Sequence, residues 1–191
     1  SDVTGGEAVF IFVCPLTWAE GTGGGASWVT RRGHAAVCFD DGVVTTTGGY
    51  DGGYLDDVQT TTSGGTALTV VTQNTFTARN NHAITRVPGN ANAFLAAVGG
   101  LGTGSIHLND ALLTTDRGAS FVTKSIAVFT GAREGSGLVA TGAMSFVAFG
   151  GYNGGTHYNE VRRSIDLGVT WTTLRDDGPT SGDGTGGDSC A

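Results

Sequence analysis

The chain has 191 residues, of which 34 are Gly and only 3 are Pro; 39 % are apolar, and 17 acidic against 10 basic side chains leave a formal net charge of −7. That length fits one domain or part of a larger one. An acidic chain without a basic stripe argues against a nucleic-acid backbone as partner, and no apolar run approaches the roughly 18 residues of a membrane-spanning helix.

The first residues, SDVTGGE, lack the basic start of a signal peptide, although a processed N-terminus has the same look. With no Asn-x-Ser/Thr acceptor anywhere in the sequence, localisation stays unassigned. Residues 8–14 (AVFIFVC) read as a strand. Residues 21–28 (GTGGGASW) resemble a phosphate-binding loop only in composition, because no Gly-Lys-Ser/Thr ending and no helical pattern follow. Short runs then alternate with Gly, Asn and Asp: 33–39 (GHAAVCF), 43–49 (VVTTTGG), 67–71 (ALTVV), 81–87 (NHAITRV), 94–100 (FLAAVGG), 120–124 (SFVTK), 136–142 (SGLVATG), 146–151 (FVAFGG) and 170–174 (TWTTL). Short apolar runs between turn residues predict many short strands, and no stretch has apolar residues at helical spacing. The chain reads as all-β. After residue 175 comes DDGPTSGDGTGGDSCA, with Asp176, Asp177, Asp183 and Asp188 among Gly, Ser and Thr. Calcium-loop spacing is absent there, and a flexible acidic tail is expected.

The double glycines Gly48-Gly49, Gly99-Gly100 and Gly150-Gly151 recur 51 residues apart, and each closes an apolar run. Upstream of each stands Arg31, Arg79 or Arg133, followed three residues later by His34, His82 or Ser136. Downstream come Asp56-Asp57-Val58, Asn109-Asp110-Ala111 and Asn159-Glu160-Val161. Trp18, Leu68, Phe121 and Trp171 close successive units. A repeat of about 50 residues that reads as four strands has the length of a kelch-type propeller blade.

The ordered set Arg-x-x-His, apolar-Gly-Gly, Asn-Asp/Glu-Val and a closing aromatic resembles the kelch repeat. Residues 164–171, SIDLGVTW, are similar to the Asp-box of bacterial neuraminidase-repeat propellers. TTDRGASF at 114–121 keeps Asp116, Gly118 and Ser120, whereas TTSGGTAL at 61–68 has Ser63 in the aspartate's place. The resemblance runs to about Leu174 and implies β-propeller blades of four antiparallel strands, about three and a half in this segment. Residues 1–20 would be half a blade (third and fourth strands), followed by blades at 21–74, 75–127 and 128–175 and the tail at 176–191. Closed propellers have about 4–8 blades, so open edges are expected, covered by further blades or by another chain. By the same resemblance Asp116, Gly118, Ser164, Asp166, Gly168, Thr170 and Trp171 are structural. They would form corners between third and fourth strands on the outer rim, with the aspartate accepting backbone N–H bonds, the glycine supplying a positive φ and the aromatic packing between sheets.

No catalytic residue is assigned. A sialidase-like activity would need a separate arginine cluster and a tyrosine–glutamate pair. Arg31, Arg79 and Arg133 look bound to the repeat, pairing with carbonyls or carboxylates. A galactose-oxidase-like activity would need copper ligands and a Tyr–Cys pair; His107 and His157 lie in equivalent loops, but two histidines are no metal site. No metal and no cofactor are therefore assigned. Cys14 and Cys38 are expected as core thiols and Cys190 as a tail thiol, with a Cys14–Cys38 disulfide as the alternative. The reading that remains is a non-catalytic module for protein–protein binding or scaffolding. Its partners would be other protein chains or the remaining blades of its own propeller. The loops YDGGYL, LGTGSIHL and YNGGTHYN present Tyr50, Tyr54, His107, Tyr152, His157 and Tyr158 as candidate binding residues. The alternative is a glycan-binding or carbohydrate-active propeller whose active residues lie outside this segment.

Overall fold

Thr, Val, Ala and Phe runs that stop at Gly, Asn and Asp favour short pleated strands joined by tight turns, and the chain folds accordingly. The computed structural model describes residues 30–61 and 68–176. Its first sheet is a meander of β1 (Ala35–Cys38), β2 (Val44–Tyr50), β3 (Tyr54–Thr61) and β4 (Leu68–Thr72). After the short β5 (Arg79–Asn80), a second sheet orders β6 (Ala83–Arg86), β7 (Phe94–Val98), β10 (Ala111–Thr114) and β11 (Val122–Ser125). Between β7 and β10, β8 (Leu101–Gly102) and β9 (Ile106–His107) join β5 in a small ribbon. The third sheet is β12 (Gly137–Ala140), β13 (Phe146–Phe149), β14 (Val161–Ser164) and β15 (Thr172–Arg175). All strand pairs are antiparallel. The one helical turn among the described residues is 3-10, Thr103–Ser105. The chain is thus all-β, built of several antiparallel sheets.

The sheets stack face to face in chain order, with β1, β6 and β12 side by side. Val37 and Phe39 of the first sheet meet Phe94 and Leu112 of the second, flanked by Phe76, Ile84 and Phe121. Phe39–Phe94, Phe94–Phe121 and Phe76–Phe121 make edge-to-face contacts at 6.3, 6.0 and 5.3 Å. Val98, Ala111 and Leu113 on the other face of the second sheet meet Phe146 and Ala148 of the third, with Leu167 and Trp171 packed alongside. Phe94 and Phe146 are fully buried, each side chain contributing roughly 1.5–3 kcal/mol of transfer free energy.

The glycine pair lets the sheets approach. Gly48 and Gly99 hold φ of 57° and 69°, closed to most L-residues. A Cβ would stand 2.6 Å from the Arg79 carbonyl oxygen at Gly48 and 2.4 Å from that of Arg133 at Gly99. The first glycine is therefore the seat of the next repeat's arginine backbone. A second link runs through Gly33, Asn81 and Gly135, all left-handed. The Asn81 N–H donates to the Gly33 carbonyl and the Gly135 N–H to that of Asn81, both at 2.8 Å.

Residues 1–29, 62–67 and 177–191 lie outside the described residues, and with them Cys14, Trp18, Cys190, the expected half blade and most of the expected acidic tail. Cys38 is disulfide-bonded, which corrects its reading as a core thiol: the sulfur is spent in a covalent bond and does not titrate.

Candidate functional site

The recurring arginines pair within their own repeats. Arg31 donates to both Asp57 carboxylate oxygens at 2.5 and 2.8 Å and to the Gly48 carbonyl at 3.0 Å. Arg79 repeats this with Asp110, at 2.5 and 2.8 Å, and with the Gly99 carbonyl at 3.0 Å. Arg133 bonds Glu160 at 2.7 Å and the Gly150 carbonyl at 3.3 Å, and its guanidinium lies 3.8 Å from the Tyr158 ring centre and 4.4 Å from that of Phe129. Planar guanidinium groups suit such bidentate and stacked sites. Burial pushes the Glu160 carboxyl up, but hydrogen bonds from Arg162 and Thr130 outweigh it and hold it below the ordinary value. For Asp57, burial is likewise outweighed, by Arg31 and Gln59. Each arginine thus clamps its own Gly-Gly turn to the start of the following strand.

The position three residues on joins neighbouring repeats. The His82 Nε2 lies 2.7 Å from the Thr47 hydroxyl, and the Ser136 hydroxyl donates to the Val98 carbonyl at 3.4 Å. Thr47 and Val98 are the residues just before the double glycines, so both contacts reach back to the preceding sheet.

The two turns that carry Asp116 and Asp166 share the same hydrogen-bond pattern around the carboxylate. The Thr114 hydroxyl donates to Asp116 at 2.7 Å, and Asp116 accepts from the Ser120 N–H at 2.9 Å and hydroxyl at 2.6 Å. The Ser164 hydroxyl donates to Asp166 at 2.8 Å, and Asp166 accepts from the Thr170 N–H at 2.9 Å and hydroxyl at 2.5 Å. Gly118 and Gly168 have φ of 97° and 84° and donate to the Thr114 and Ser164 hydroxyls, each at 2.9 Å. The Trp171 indole N–H donates to the Gly168 carbonyl at 3.0 Å. These turns connect β10 to β11 and β14 to β15. The hydrogen bonds that Asp116 and Asp166 accept all come from their own turns. Replacing Asp166 by alanine strands the Thr170 N–H and is expected to cost about 1–2 kcal/mol. Calorimetry should register a fall in Tm of roughly 2–8 °C.

At the opposite ends of the strands, the residue after each arginine pairs with the residue after each double glycine. The pairs are Arg32 with Tyr50, Asn80 with Leu101 and Glu134 with Tyr152. Here the repeat stops being uniform: a cation, an amide and a carboxylate take equivalent places. Arg32, Tyr50, Tyr54, Asn81, Leu101 and Glu134 line a cleft of about 530 Å³. Tyr50 and Tyr54 meet edge to face at 5.2 Å, and the Arg32 guanidinium lies 5.2 Å from the Tyr50 ring centre. Across the cleft, Glu134 accepts from the Asn81 amide at 2.7 Å, and its other carboxylate oxygen lies 3.7 Å from the His107 Nε2. The Tyr152 and His157 rings meet at a 40° tilt with centres 4.9 Å apart.

Of the residues that the sequence singles out, Tyr50 and Tyr54 line the cleft, and His107 and Tyr152 reach its far side through Glu134. His157 joins by its contact with Tyr152. Tyr158 does not belong to this surface: its ring covers Arg133 and its hydroxyl accepts from Asn153. Arg32, Asn81 and Glu134 are functional candidates that pattern reading passes over. Arg32 and Glu134 vary at the position directly after a recurring arginine, and Asn81 stands two residues after Arg79, where the other repeats have Gly33 and Gly135. Among the described residues no three His, Cys, Asp or Glu side chains stand together as metal ligands. No helix among them is long and apolar enough to cross a membrane. The sequence matches no protein-family model, and no curated protein is detectably similar to it.

Proposed function

We propose that the three sheets are consecutive blades of a kelch-like β-propeller with Asp-box corners, and that the chain is a non-catalytic module that binds another protein through the loop face. One contrast carries the reading. The recurring arginines are each committed to a carboxylate within their own repeat, while the varied residues Arg32, Tyr50, Tyr54, Asn81 and Glu134 converge from three repeats on one cleft. Half-buried tyrosines beside an arginine suit a protein hot spot, being large, rigid and amphipathic. Arg32 and Glu134 at the same mouth would read a segment that carries both charge signs.

The second reading, a glycan ligand, draws on one observation: two tyrosine rings beside an amide and a carboxylate also suit a hydroxyl-bearing sugar ring. A photo-crosslinker at Tyr54 separates the two. A partner protein captured there, and lost on Tyr50→Ala or Arg32→Glu, supports the first reading. Selective retention on a glycan array, lost with the same variants, supports the second. Capture that these variants leave unchanged overturns both.

A further inference from the structure

The third sheet repeats the design of the first two, but among the described residues no further sheet packs on its outer face. Val58 of the first sheet and Val98 and Ala111 of the second are fully buried beneath the following sheet. The same places in the third sheet hold Phe149 and Val161; Phe149 is 45 % exposed, as is Val139 on the same face. The register puts Val139, Val147, Phe149 and Val161 on one largely apolar face, with Arg163 across from Val147, opposite to the face that buries Phe146 and Ala148. The backbone shows a matching space. At Gly48 and Gly99 the next repeat's arginine carbonyl fills the place of a Cβ, whereas at Gly150 the nearest atom among the described residues is the Tyr158 carbonyl oxygen at 3.7 Å. Yet Gly150 keeps the left-handed φ of 68° that its two counterparts use. The Arg133 carbonyl that covers Gly99 accepts from the Gly100 N–H at 2.9 Å, so Gly151 occupies the corresponding donor position in the third sheet.

From this we infer that the outer face of the third sheet is the seat of a further four-stranded sheet of the same repeat. The inference rests on the blade reading above but not on what the loop face binds. The occupant opens with Arg-x-x-Ser or Arg-x-x-His. Its arginine carbonyl sits over Gly150 and accepts from Gly151, its hydroxyl or imidazole reaches Phe149, and its small apolar residues cover Val139 and Phe149. Two interfaces of this kind already run through the molecule, and the third face continues them in register.

The test extends the full chain by repeating residues 126–175 once directly after Arg175, which reproduces the spacing between the second and third sheets. The expected results are a higher Tm, loss of binding of a hydrophobic dye, and exchange of the Gly151 amide slowed at least about tenfold. Gly150→Asn keeps a residue that tolerates positive φ but fills the seat. It should leave the Tm of the unextended chain nearly unchanged and abolish the gain in the extended one, while Gly99→Asn, aimed at the Arg133 carbonyl, lowers the Tm of both. An extended chain that folds with dye binding and Gly151 exchange unaltered overturns the inference. So does self-association of the unextended chain through two copies of this face. Where the extension does not fold, exchange in the unextended chain decides: Gly151 as protected as Gly100 means that the seat is not vacant. Loop-face variants bear on none of these readouts, so the two proposals fail separately.

Discussion

Replacing Glu160 by leucine should lower the stability of the fold by about 3–5 kcal/mol, a fall in Tm of roughly 6–20 °C. Glu160 and Arg133 have fully buried side chains, and the glutamate is shared with Arg162 and the Thr130 N–H. Without it, Arg133 keeps a charge between the Phe129 and Tyr158 rings and loses the Glu160 carboxylate that offsets its desolvation. Dispersion and cation–π contact with the two rings recover only part of that cost. The double variant Arg133→Met/Glu160→Leu removes charge and countercharge together and should be milder than Glu160→Leu alone. Chemical denaturation of the two variants provides the check. A single variant that costs less than about 1 kcal/mol, as an exposed pair would, refutes the assignment of Arg133 as the buried clamp of its repeat.

Acidification should weaken the fold well before the carboxylates titrate. His82 is buried between the first two sheets, and burial first, then the charges of Arg79 and His34, push its pKa from an ordinary 6.5 down to about 3. Its Nε2 is taken by Thr47, and its buried Nδ1 has no partner among the described residues, so a proton there would find no acceptor among them. Below pH 6.5 the unfolded chain binds a proton that the folded chain refuses. The contribution is therefore fully present well above pH 6.5 and is lost as pH falls toward 3, on the order of 2 kcal/mol between pH 6.5 and 4.5. His34, lowered by partial burial and by Arg31, adds to the loss in the same sense. Asp57 and Glu160 also titrate below their ordinary values of 3.8 and 4.5, so their contribution is lost below this window. His82→Gln keeps a group able to bond Thr47 and removes the titration. Its stability between pH 6.5 and 4.5 should be flatter than that of the parent, and an equal slope would rule out a buried neutral imidazole.

Much of the architecture is legible in the amino-acid order because it is local and repeated. The double glycines 51 residues apart mark where each second strand ends, since only glycine accepts the positive φ and leaves room for a neighbouring carbonyl. The alternation of short apolar runs with Gly, Asn and Asp dictates antiparallel strands joined by turns. SIDLGVTW and TTDRGASF encode their own hydrogen bonds within eight residues, so the closed aspartate turn can be read without knowing what packs on it.

The contacts between repeats cannot be read in this way. Arg31, Arg79 and Arg133 reach carboxylates 26, 31 and 27 residues away, an irregular spacing because the intervening loops differ in length. The cleft draws Arg32, Asn81 and Glu134 from three separate repeats, and only the stacking of the sheets brings the Asn81 amide to the Glu134 carboxylate. Whether Phe149 or Val98 is covered depends on the next sheet, not on its own neighbours in sequence, although both residues precede a double glycine. Sequence alone determined the unit and its turns, because backbone conformation and short-range hydrogen bonds act over a few residues. Tertiary structure decided which charges pair, which residues share the loop face and which apolar face is left exposed, because those depend on burial and distance between units that the chain order keeps about 50 residues apart.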